Sequence, residues 1–452
     1  MIDKTINVQT FFNHNRFSKF QFLVFAFTFL VAFFDGYDTA VIGYIAPSLL
    51  EEWGIERKDL APVLSAALLG LAIGAISFGP LADKIGRKVV LIVAVAIFSI
   101  GTVISAFSTS LLELEILRFM TGLGLGAAMP NAVTLLSEYC PEQKRATIVN
   151  TMFCGFPLGA AIGGFIAAWL IPNFGWRSTL LFGGIGPLIL VILMIFILPE
   201  SVRYLVAKNR SAASIKKILI KINPAAAEAD HFVMTESKVT LDKNKGGISV
   251  VLSSHYRAGS FLLWISYFMG LVIFYGVINW MPVLFREINM PQGTAVIVTG
   301  LFAIGGLGAI FNGWLMDRFN ANKLIAFLSL LTAISVAFIG FTVHLGMGIL
   351  ISVVIFAGIV MNTAQSSLPA LAAEFYPTQG RTTGVSWMLG LGRFGGIAGS
   401  FLVAQLVAMN LTIDTIFYVL ALPALITVVC LLLKQLIYKE TAKKLASDSV
   451  FQ

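Results

Sequence analysis

Apolar runs of about twenty residues recur along the whole chain and are separated by short charged segments. A transmembrane helix needs about 20 mainly apolar residues to cross the hydrocarbon core of a bilayer. The sequence therefore predicts an all-α membrane protein with twelve transmembrane helices. Their predicted ranges are 20–46, 59–80, 89–107, 112–136, 146–170, 178–198, 260–281, 294–314, 323–343, 347–371, 383–408 and 413–436.

The composition agrees with a membrane protein and gives no sign of an enzyme. Hydrophobic residues make up 58% of the chain and charged residues only 12%, against about 25% charged residues in a soluble domain. The net charge of +8 does not indicate nucleic-acid binding, because the charges punctuate the apolar runs. We find no Walker A sequence, no nucleophile–base pattern and no metal-ligand spacing, so we expect no cofactor. Cys140, Cys154 and Cys430 are predicted to be free thiols.

The distribution of Lys and Arg predicts the orientation of the chain. With the N-terminus inside, 25 of the 31 basic residues fall in inside segments. Four fall in outside loops, namely Arg57, Lys58, Arg177 and Arg286, and two fall within crossings. Positive charge marks cytoplasmic loops, so both termini and the central loop are expected in the cytoplasm.

Two pairs of loops match between the halves of the chain. LSEYCPEQKRAT (136–147) matches AAEFYPTQGRTT (372–383) at an offset of 236, and GPLADKIGRK from Gly79 matches GWLMDRFNANK from Gly313 at an offset of 234. We predict two pseudo-symmetric six-helix halves, 1–198 and 259–452, joined by a cytoplasmic central loop, 199–258. In such repeats the substrate site lies between the halves near the midplane of the membrane.

The first crossing contains two acids, Asp35 and Asp38, as its only charges. A carboxylate at that depth costs on the order of 3 kcal/mol, so it faces a bundle interior or a water-filled path and is a functional hypothesis by default. A signal peptide fits poorly, because the apolar core is too long and no small-residue cleavage site follows. A structural ion pair is the remaining alternative.

These motifs resemble a known family. The loop Gly-x-Leu-Ala-Asp-Lys-x-Gly-Arg-Lys, residues 79–88, resembles the major facilitator superfamily, and DGYD in the first crossing is similar to its aromatic acid:proton symporters. The resemblance implies proton-coupled import of an aromatic carboxylate, of the 4-hydroxybenzoate or protocatechuate type, across the bacterial inner membrane by alternating access. It also implies a monomer.

Three alternatives stay open at this point. The direction of transport is not fixed by the sequence, so a proton-driven exporter of organic acids or drugs remains possible. Another aromatic acid, such as benzoate, vanillate or gentisate, is equally compatible with the residues. A sensor of aromatic acids would need a docking module, and the central loop contains no recognisable one.

Asp38 and Arg118 are expected at similar depths in the membrane. Asp38 lies about eight residues, ~12 Å, below the outer end of the first crossing, and Arg118 about six residues, ~9 Å, below that of the fourth. We expect Asp38 or Asp35 to approach Arg118 in at least one state. A carboxylate that leaves a cation for an apolar setting takes up a proton more readily, which predicts a proton switch; a permanent ion pair is the alternative. The resemblance implies that both acids are needed for uptake.

Arg393 is the predicted anchor for the substrate carboxylate. It lies near the midplane of the eleventh crossing between glycines that leave room for its side chain, and a guanidinium contacts a carboxylate with two parallel hydrogen bonds. An interhelical hydrogen-bond donor is the alternative. The aromatic ring is expected between apolar walls, with a few polar groups for its substituent. The candidates for these contacts are Tyr267, Tyr275, Trp387, Asn362, Gln365, Ser366 and, more weakly, Asn131.

Charged residues in the cytoplasmic loops predict a gate between the halves. Acids stand at repeat-matched positions, which orientation by Lys and Arg alone does not explain. The 8–9 loop departs from the 2–3 loop at residues 319–321, so its contacts are expected to be weaker. The predicted gate residues are Gly79, Asp83, Gly86, Arg87, Glu138, Arg145, Asp317, Arg318, Glu374 and Arg381.

Overall fold

The computed structural model describes residues 5–54, 61–234, 247–288, 290, 298–302, 305–343 and 345–448. Within these ranges twelve helices are long and apolar enough to cross a membrane, which confirms the predicted fold class. We number the crossing helices α1 to α12. They are α1 (Lys19–Trp53), α2 (Ala61–Ile85), α3 (Arg87–Ser105), α4 (Leu111–Tyr139), α5 (Arg145–Phe153 and Gly155–Phe174), α6 (Arg177–Ile197), α7 (Arg257–Glu287), α8 (Ala309–Met316, after a 3₁₀ turn at Gly305–Gly308), α9 (Ala321–Thr342), α10 (Met347–Phe375), α11 (Arg381–Ala408) and α12 (Ile413–Asp448).

Local signals explain where these helices begin and end. Ser18 and Gln21 form a reciprocal capping box at the start of α1, with the Gln21 N–H donating to Ser18 Oγ over 3.2 Å. At its other end Gly54 adopts the left-handed conformation (φ 63°) that stops the helix. The helix therefore continues past the predicted end at residue 46. The predicted start of the second crossing at residues 59–60, Arg57, Lys58 and residues 294–297 lie outside the described residues.

The two halves repeat the same packing. In the first half α2 and α3 pack on α4, α3 packs on α6 and α1 packs on α5; in the second half α8 and α9 pack on α10, α9 packs on α12 and α7 packs on α11. The outer surface carries large exposed apolar side chains, such as Phe196 (81% exposed), as a lipid-facing surface requires. The boundaries of the halves at 198 and 259 stay a prediction.

The halves meet along two helix pairs, α2 with α11 and α5 with α8. A Cβ atom on Gly79 would lie 2.5 Å from Ser386 of α11, and one on Gly313 would lie 2.7 Å from Thr147 Cα of α5. Both distances are too short for a side chain. The matched glycines therefore allow the halves to approach closely, in the way that small residues do at membrane helix contacts.

The central segment, predicted as a loop, contains short helices. They are Val202–Ala207, Ala212–Ile220 and Gly247–Val251, with a 3₁₀ turn at Pro224–Glu228; residues 235–246 lie outside the described part. The sequence analysis missed a two-stranded parallel sheet, in which β1 (Thr5–Asn7) pairs with β2 (His231–Val233). This pairing joins the N-terminal segment to the central one.

Candidate functional site

A cavity with about 590 Å³ of empty space, part of it open to solvent, lies between the two halves. It is formed by α1, α4 and α5 of the first half and by α7, α10 and α11 of the second. The sequence-predicted residues that line it are Asp35, Tyr267, Tyr275, Asn362, Gln365, Ser366 and Arg393.

Several residues of the apolar walls were not among the candidates predicted from the sequence. Tyr267, Leu271, Phe274 and Tyr275 follow the helical spacing of one face of α7. Counting that spacing onward from Tyr267 is a signal that finds the two missed members of this stripe. The remaining lining residues that the sequence analysis missed are Met129, Phe153, Phe156 and Leu389.

Arg393 projects from α11 into this cavity and is 8% exposed. Its Nη1 donates a hydrogen bond to Tyr275 Oη over 3.2 Å. Within the described part of the chain, no carboxylate oxygen lies within the 4.0 Å of an ion pair with Arg393. A Cβ on Gly396 would lie 2.5 Å from the Tyr275 ring, so this glycine lets Tyr275 reach the guanidinium. The arrangement leaves donors of Arg393 for an anionic ligand.

Asp35 faces the same cavity from α1 and is fully buried. Neither of its carboxylate oxygens accepts a hydrogen bond of good geometry from any described residue, although the Thr39 hydroxyl of the same helix is near enough to stabilise its charge. Arg393 is the charged group that acts on it most strongly, and Asp38 acts on it as a like charge. A buried carboxylate without a hydrogen-bond donor is costly in free energy. Asp35 therefore differs from the other polar groups of this cavity in that its burial is not compensated by a hydrogen bond.

Asp38, one helical turn from Asp35, is fully paired. Arg118 donates Nη1 to its Oδ1 over 3.0 Å and Nη2 to its Oδ2 over 2.7 Å, and the Thr102 hydroxyl donates to Oδ1 over 2.8 Å. Both charged side chains are buried. The approach of Arg118 to the first crossing thus takes place at Asp38, in a two-pronged ion pair of the geometry that arginine favours.

The polar face of α10 has free acceptor oxygens. Asn362 donates its Nδ2 to the carbonyl oxygens of Phe302 (2.8 Å) and Gly358 (2.9 Å), and Gln365 donates its Nε2 to Tyr267 O (3.2 Å). Among the described residues no donor bonds to Asn362 Oδ1 or Gln365 Oε1. These oxygens suit a hydroxyl donor on a ligand.

Two predicted substrate contacts do not line the cavity. Trp387 donates its indole N–H to Ile76 O of α2 over 3.2 Å, and it lies six residues before Arg393, which is about 240° around the helix. Asn131 donates to Ala127 O within α4, while Met129 of the same helix reaches the cavity. Residue type suggested both side chains, but their helical phase turns them away.

A charged network joins the halves at the end of the bundle where α2, α4, α8 and α10 finish, here called the terminal end. Glu138 of α4 lies 3.5 Å from Arg87 Nε and 3.6 Å from Arg381 Nη1. Arg87 also donates to Asp83 Oδ1 over 3.0 Å. Asp83 in turn accepts the backbone N–H of Thr383 (3.1 Å) and its hydroxyl (2.7 Å). Asp83 therefore caps the start of α11 from the other half.

Gly86 and Glu200 hold the central segment against this network. Glu200 Oε1 accepts the backbone N–H groups of Arg87 (3.1 Å), Lys88 (3.2 Å) and Ser201 (2.9 Å). Burial raises the pKa of the Glu200 carboxyl, and these donors oppose the shift. Gly86 has φ 115°, and a Cβ there would collide with the Glu200 carboxylate. Only glycine fits this turn.

The second half forms a simpler version of the same contact. Asp317 accepts the backbone N–H groups of Ala146 and Thr147, each over 3.0 Å, as well as the Thr147 hydroxyl. It therefore caps α5 across the interface, as Asp83 caps α11. Thr147 and Thr383 occupy matched positions of the repeat.

Three predicted gate residues form none of these hydrogen bonds or ion pairs, although Arg145 lies close enough to Asp317 to stabilise its charge. Arg318 is exposed and stacks on Trp314, with its Cζ 4.0 Å from the ring centroid. Glu374 is exposed. Arg145 has no hydrogen-bond partner for Nε or Nη2 among the described residues. Glu374 is exposed because Ala321 stands at the repeat position of Arg87. The second half therefore has no arginine at that position to form an ion pair with Glu374.

Comparisons with known proteins agree with this fold. The family model of the Major Facilitator Superfamily matches residues 28–400 and 293–449. This chain belongs to the major facilitator superfamily. A solved structure of the proton:xylose symporter XylE aligns with it at a TM-score of 0.73 and 20% identity, covering 91% of this chain and 94% of that one.

Two curated relatives align with this superfamily member over nearly their full length. The 4-hydroxybenzoate transporter PcaK of Pseudomonas aeruginosa is 47% identical over 434 residues, covering 96% of each chain. The gallate transporter of Pseudomonas putida is 42% identical over 424 residues, covering 94% of each. The superfamily and these relatives identify the chain as a transporter rather than an enzyme.

Proposed function

We propose that this chain imports an aromatic carboxylate of the 4-hydroxybenzoate or protocatechuate type, together with protons, across the bacterial inner membrane by alternating access. The observation that carries the proposal is Arg393, a buried cation without a carboxylate partner among the described residues, in a cavity with aromatic walls. The names of the similar proteins support the substrate class.

The substrate carboxylate binds Arg393. Tyr275 holds the guanidinium from one side through the hydrogen bond to Nη1, which leaves other N–H groups for a two-pronged contact. The aromatic ring packs against the apolar and aromatic side chains of α5 and α7. Burial of a planar ring between such walls gives most of the affinity, and the polar groups fix its orientation.

Ring hydroxyls donate to the acceptor oxygens of α10. Asn362 Oδ1 and Gln365 Oε1 supply them, and Ser366 adds a hydroxyl that donates or accepts. A site built to hydrogen-bond a substrate hydroxyl rejects an analogue that lacks it, because its own polar groups are then left unpaired. We therefore expect benzoate, which has no ring hydroxyl, to bind more weakly than 4-hydroxybenzoate.

Proton coupling involves the acids of α1 with Arg118, and the terminal-end network acts as the gate. Asp83 and Asp317 each cap a helix of the opposite half, so the halves separate there only when these contacts break. Both termini lie in the cytoplasm in this proposal, which makes the terminal end the cytoplasmic one, and the transporter acts as a monomer.

Uptake into proteoliposomes tests the function. We expect the purified protein to accumulate labelled 4-hydroxybenzoate when an inward proton gradient is imposed, and to lose accumulation when an ionophore collapses it. Arg393→Gln removes the carboxylate anchor, so uptake is expected to fall at least about tenfold, the loss of a charge-assisted hydrogen bond or two.

The matched control is Arg177→Gln, which removes an exposed arginine paired with Glu52 at the opposite end of the bundle. Its uptake is expected to stay close to that of the unmodified protein. Failure to accumulate 4-hydroxybenzoate, protocatechuate or gallate under any gradient contradicts the proposed function. Accumulation driven by an outward gradient instead assigns the protein to export.

A further inference from the structure

The charges around the cavity form two groups that differ in their pairing. Asp38 and Arg118 neutralise each other in a two-pronged contact. Asp35 and Arg393 both line the cavity but lie beyond the distance of an ion pair, and Asp35 has no hydrogen-bond partner among the described residues. The charges of Asp35 and Arg393 therefore cancel, although the two side chains form no ion pair.

A substrate anion disturbs this balance. With Asp35 ionised, the cavity holds one positive and one negative charge; a bound carboxylate adds a second negative charge. Charges interact more strongly inside a protein than in water, because the effective dielectric constant of the interior is lower. The added charge is tolerated when Asp35 takes up one proton, since the cavity is then neutral again.

Resting on the proposed function, we propose that Asp35, rather than Asp38, carries the coupled proton, and that binding of the substrate carboxylate to Arg393 requires one proton on Asp35. The stoichiometry is one proton per aromatic acid. Asp38 stays ionised and positions α1 against α4. In the return step without substrate, Asp35 loses its proton and its negative charge balances Arg393.

Among the described residues, few charged or titratable groups face Asp35. On its own helix the like charge is Asp38, which is paired with Arg118. From α11 the facing charge is Arg393, and from α7 the facing titratable groups are the phenols of Tyr267 and Tyr275. The α10 side chains at the cavity are neutral, and the α5 segment Gly155–Phe174 contains no ionisable side chain.

Binding measured against pH tests the inference. The affinity of the purified protein for 4-hydroxybenzoate is measured by calorimetry between about pH 6 and pH 8.5, where an ordinary carboxylate stays ionised. For the unmodified protein we expect the affinity to fall as the pH rises, approaching about tenfold per pH unit, the slope for one linked proton. Repeating the titration in buffers of different ionisation enthalpy counts the protons taken up, with one expected at the upper end of the range.

Asp35→Asn is the decisive variant. It replaces the carboxylate with a neutral group of nearly the same shape, so we expect affinity that does not depend on pH, with no proton uptake on binding. In proteoliposomes it exchanges substrate across the membrane but does not accumulate it under a proton gradient. Asp35→Glu restores a carboxylate and is expected to restore the proton uptake, which a merely structural role would not do.

Glu52→Gln is the matched control, because it neutralises an exposed acid of the same helix far from the cavity. It is expected to keep the pH dependence of the unmodified protein. The inference is overturned if Asp35→Asn keeps that dependence, or if the unmodified protein binds with an affinity that does not change with pH. Absence of binding at every pH instead contradicts the proposed function itself.

Discussion

At the scale of single residues, the two acids of α1 are one helical turn apart and have opposite surroundings. Asp38 accepts hydrogen bonds from Arg118 and Thr102, whereas Asp35 accepts none from the described residues. Removing one member of a buried ion pair leaves the other charge uncompensated. Removing a carboxylate that has no hydrogen-bond partner takes away its desolvation cost, which is larger than the attraction of Arg393 that is lost with it.

The same substitution at these positions is therefore expected to change stability in opposite directions. Asp38→Asn should lower the free energy of unfolding by about 3–5 kcal/mol, the cost of a broken buried pair. Asp35→Asn should leave it unchanged or raise it. The thermal unfolding midpoint in detergent, followed by intrinsic Trp fluorescence, measures both. Equal midpoints for the two variants would contradict the assigned pairing.

Gly86 gives a second residue-scale prediction. Gly86→Ala adds a side chain at φ 115° and against the Glu200 carboxylate, while Gly346→Ala adds one at φ 112° with nothing within 4 Å. The positive φ alone costs about 1–3 kcal/mol. Thermal unfolding should show a larger loss for Gly86→Ala, and the difference measures the collision with Glu200. Similar losses in both variants would show that Glu200 moves aside freely.

At the scale of elements, the repeat builds the same contact twice. An aspartate at the end of α2 or α8 caps the first turn of α11 or α5 in the other half. The N-terminus of a helix carries a partial positive charge, so a carboxylate there is worth about 0.3–2 kcal/mol. The contact between halves thus relies on helix ends as well as on ion pairs.

Weakening one of these caps is expected to open the terminal end more often. Cys154 is a native reporter, because it is buried with its Sγ 3.7 Å from Gly306 O of the opposite half. In a background with Cys140→Ala and Cys430→Ala, Asp317→Asn should speed labelling of Cys154 by a membrane-permeant maleimide about two- to thirtyfold, from the cap energies above. Asp230→Asn, in the central segment, should leave the labelling rate unchanged. No acceleration in Asp317→Asn would show that this cap does not hold the halves together.

At the scale of the whole molecule, the distribution of charge predicts its orientation. Most Lys and Arg residues lie at the terminal end, which the positive-inside rule assigns to the cytoplasm. Green fluorescent protein fused after Gln452 should therefore fluoresce. Alkaline phosphatase fused after Met409, in the loop between α11 and α12 at the opposite end, should be active. The reverse pattern would invert the orientation and with it the direction of the gate.

The sequence by itself determined the number of crossings, the internal repeat and the presence of buried charge at Asp35, Asp38, Arg118 and Arg393. These features depend on local hydropathy and on spacing along the chain. A long apolar run crosses a membrane wherever it packs, and a charge within it must face the interior.

Only the tertiary structure decided which of these side chains meet. Arg118 pairs with Asp38 and leaves Asp35 to the cavity, a choice between two acids one turn apart that spacing does not make. Helical phase turned Trp387 toward α2, and the missing arginine at Ala321 left Glu374 exposed. The physical reason is that hydropathy reports how deeply a residue is buried, whereas the rotation and crossing of packed helices set which neighbour it contacts.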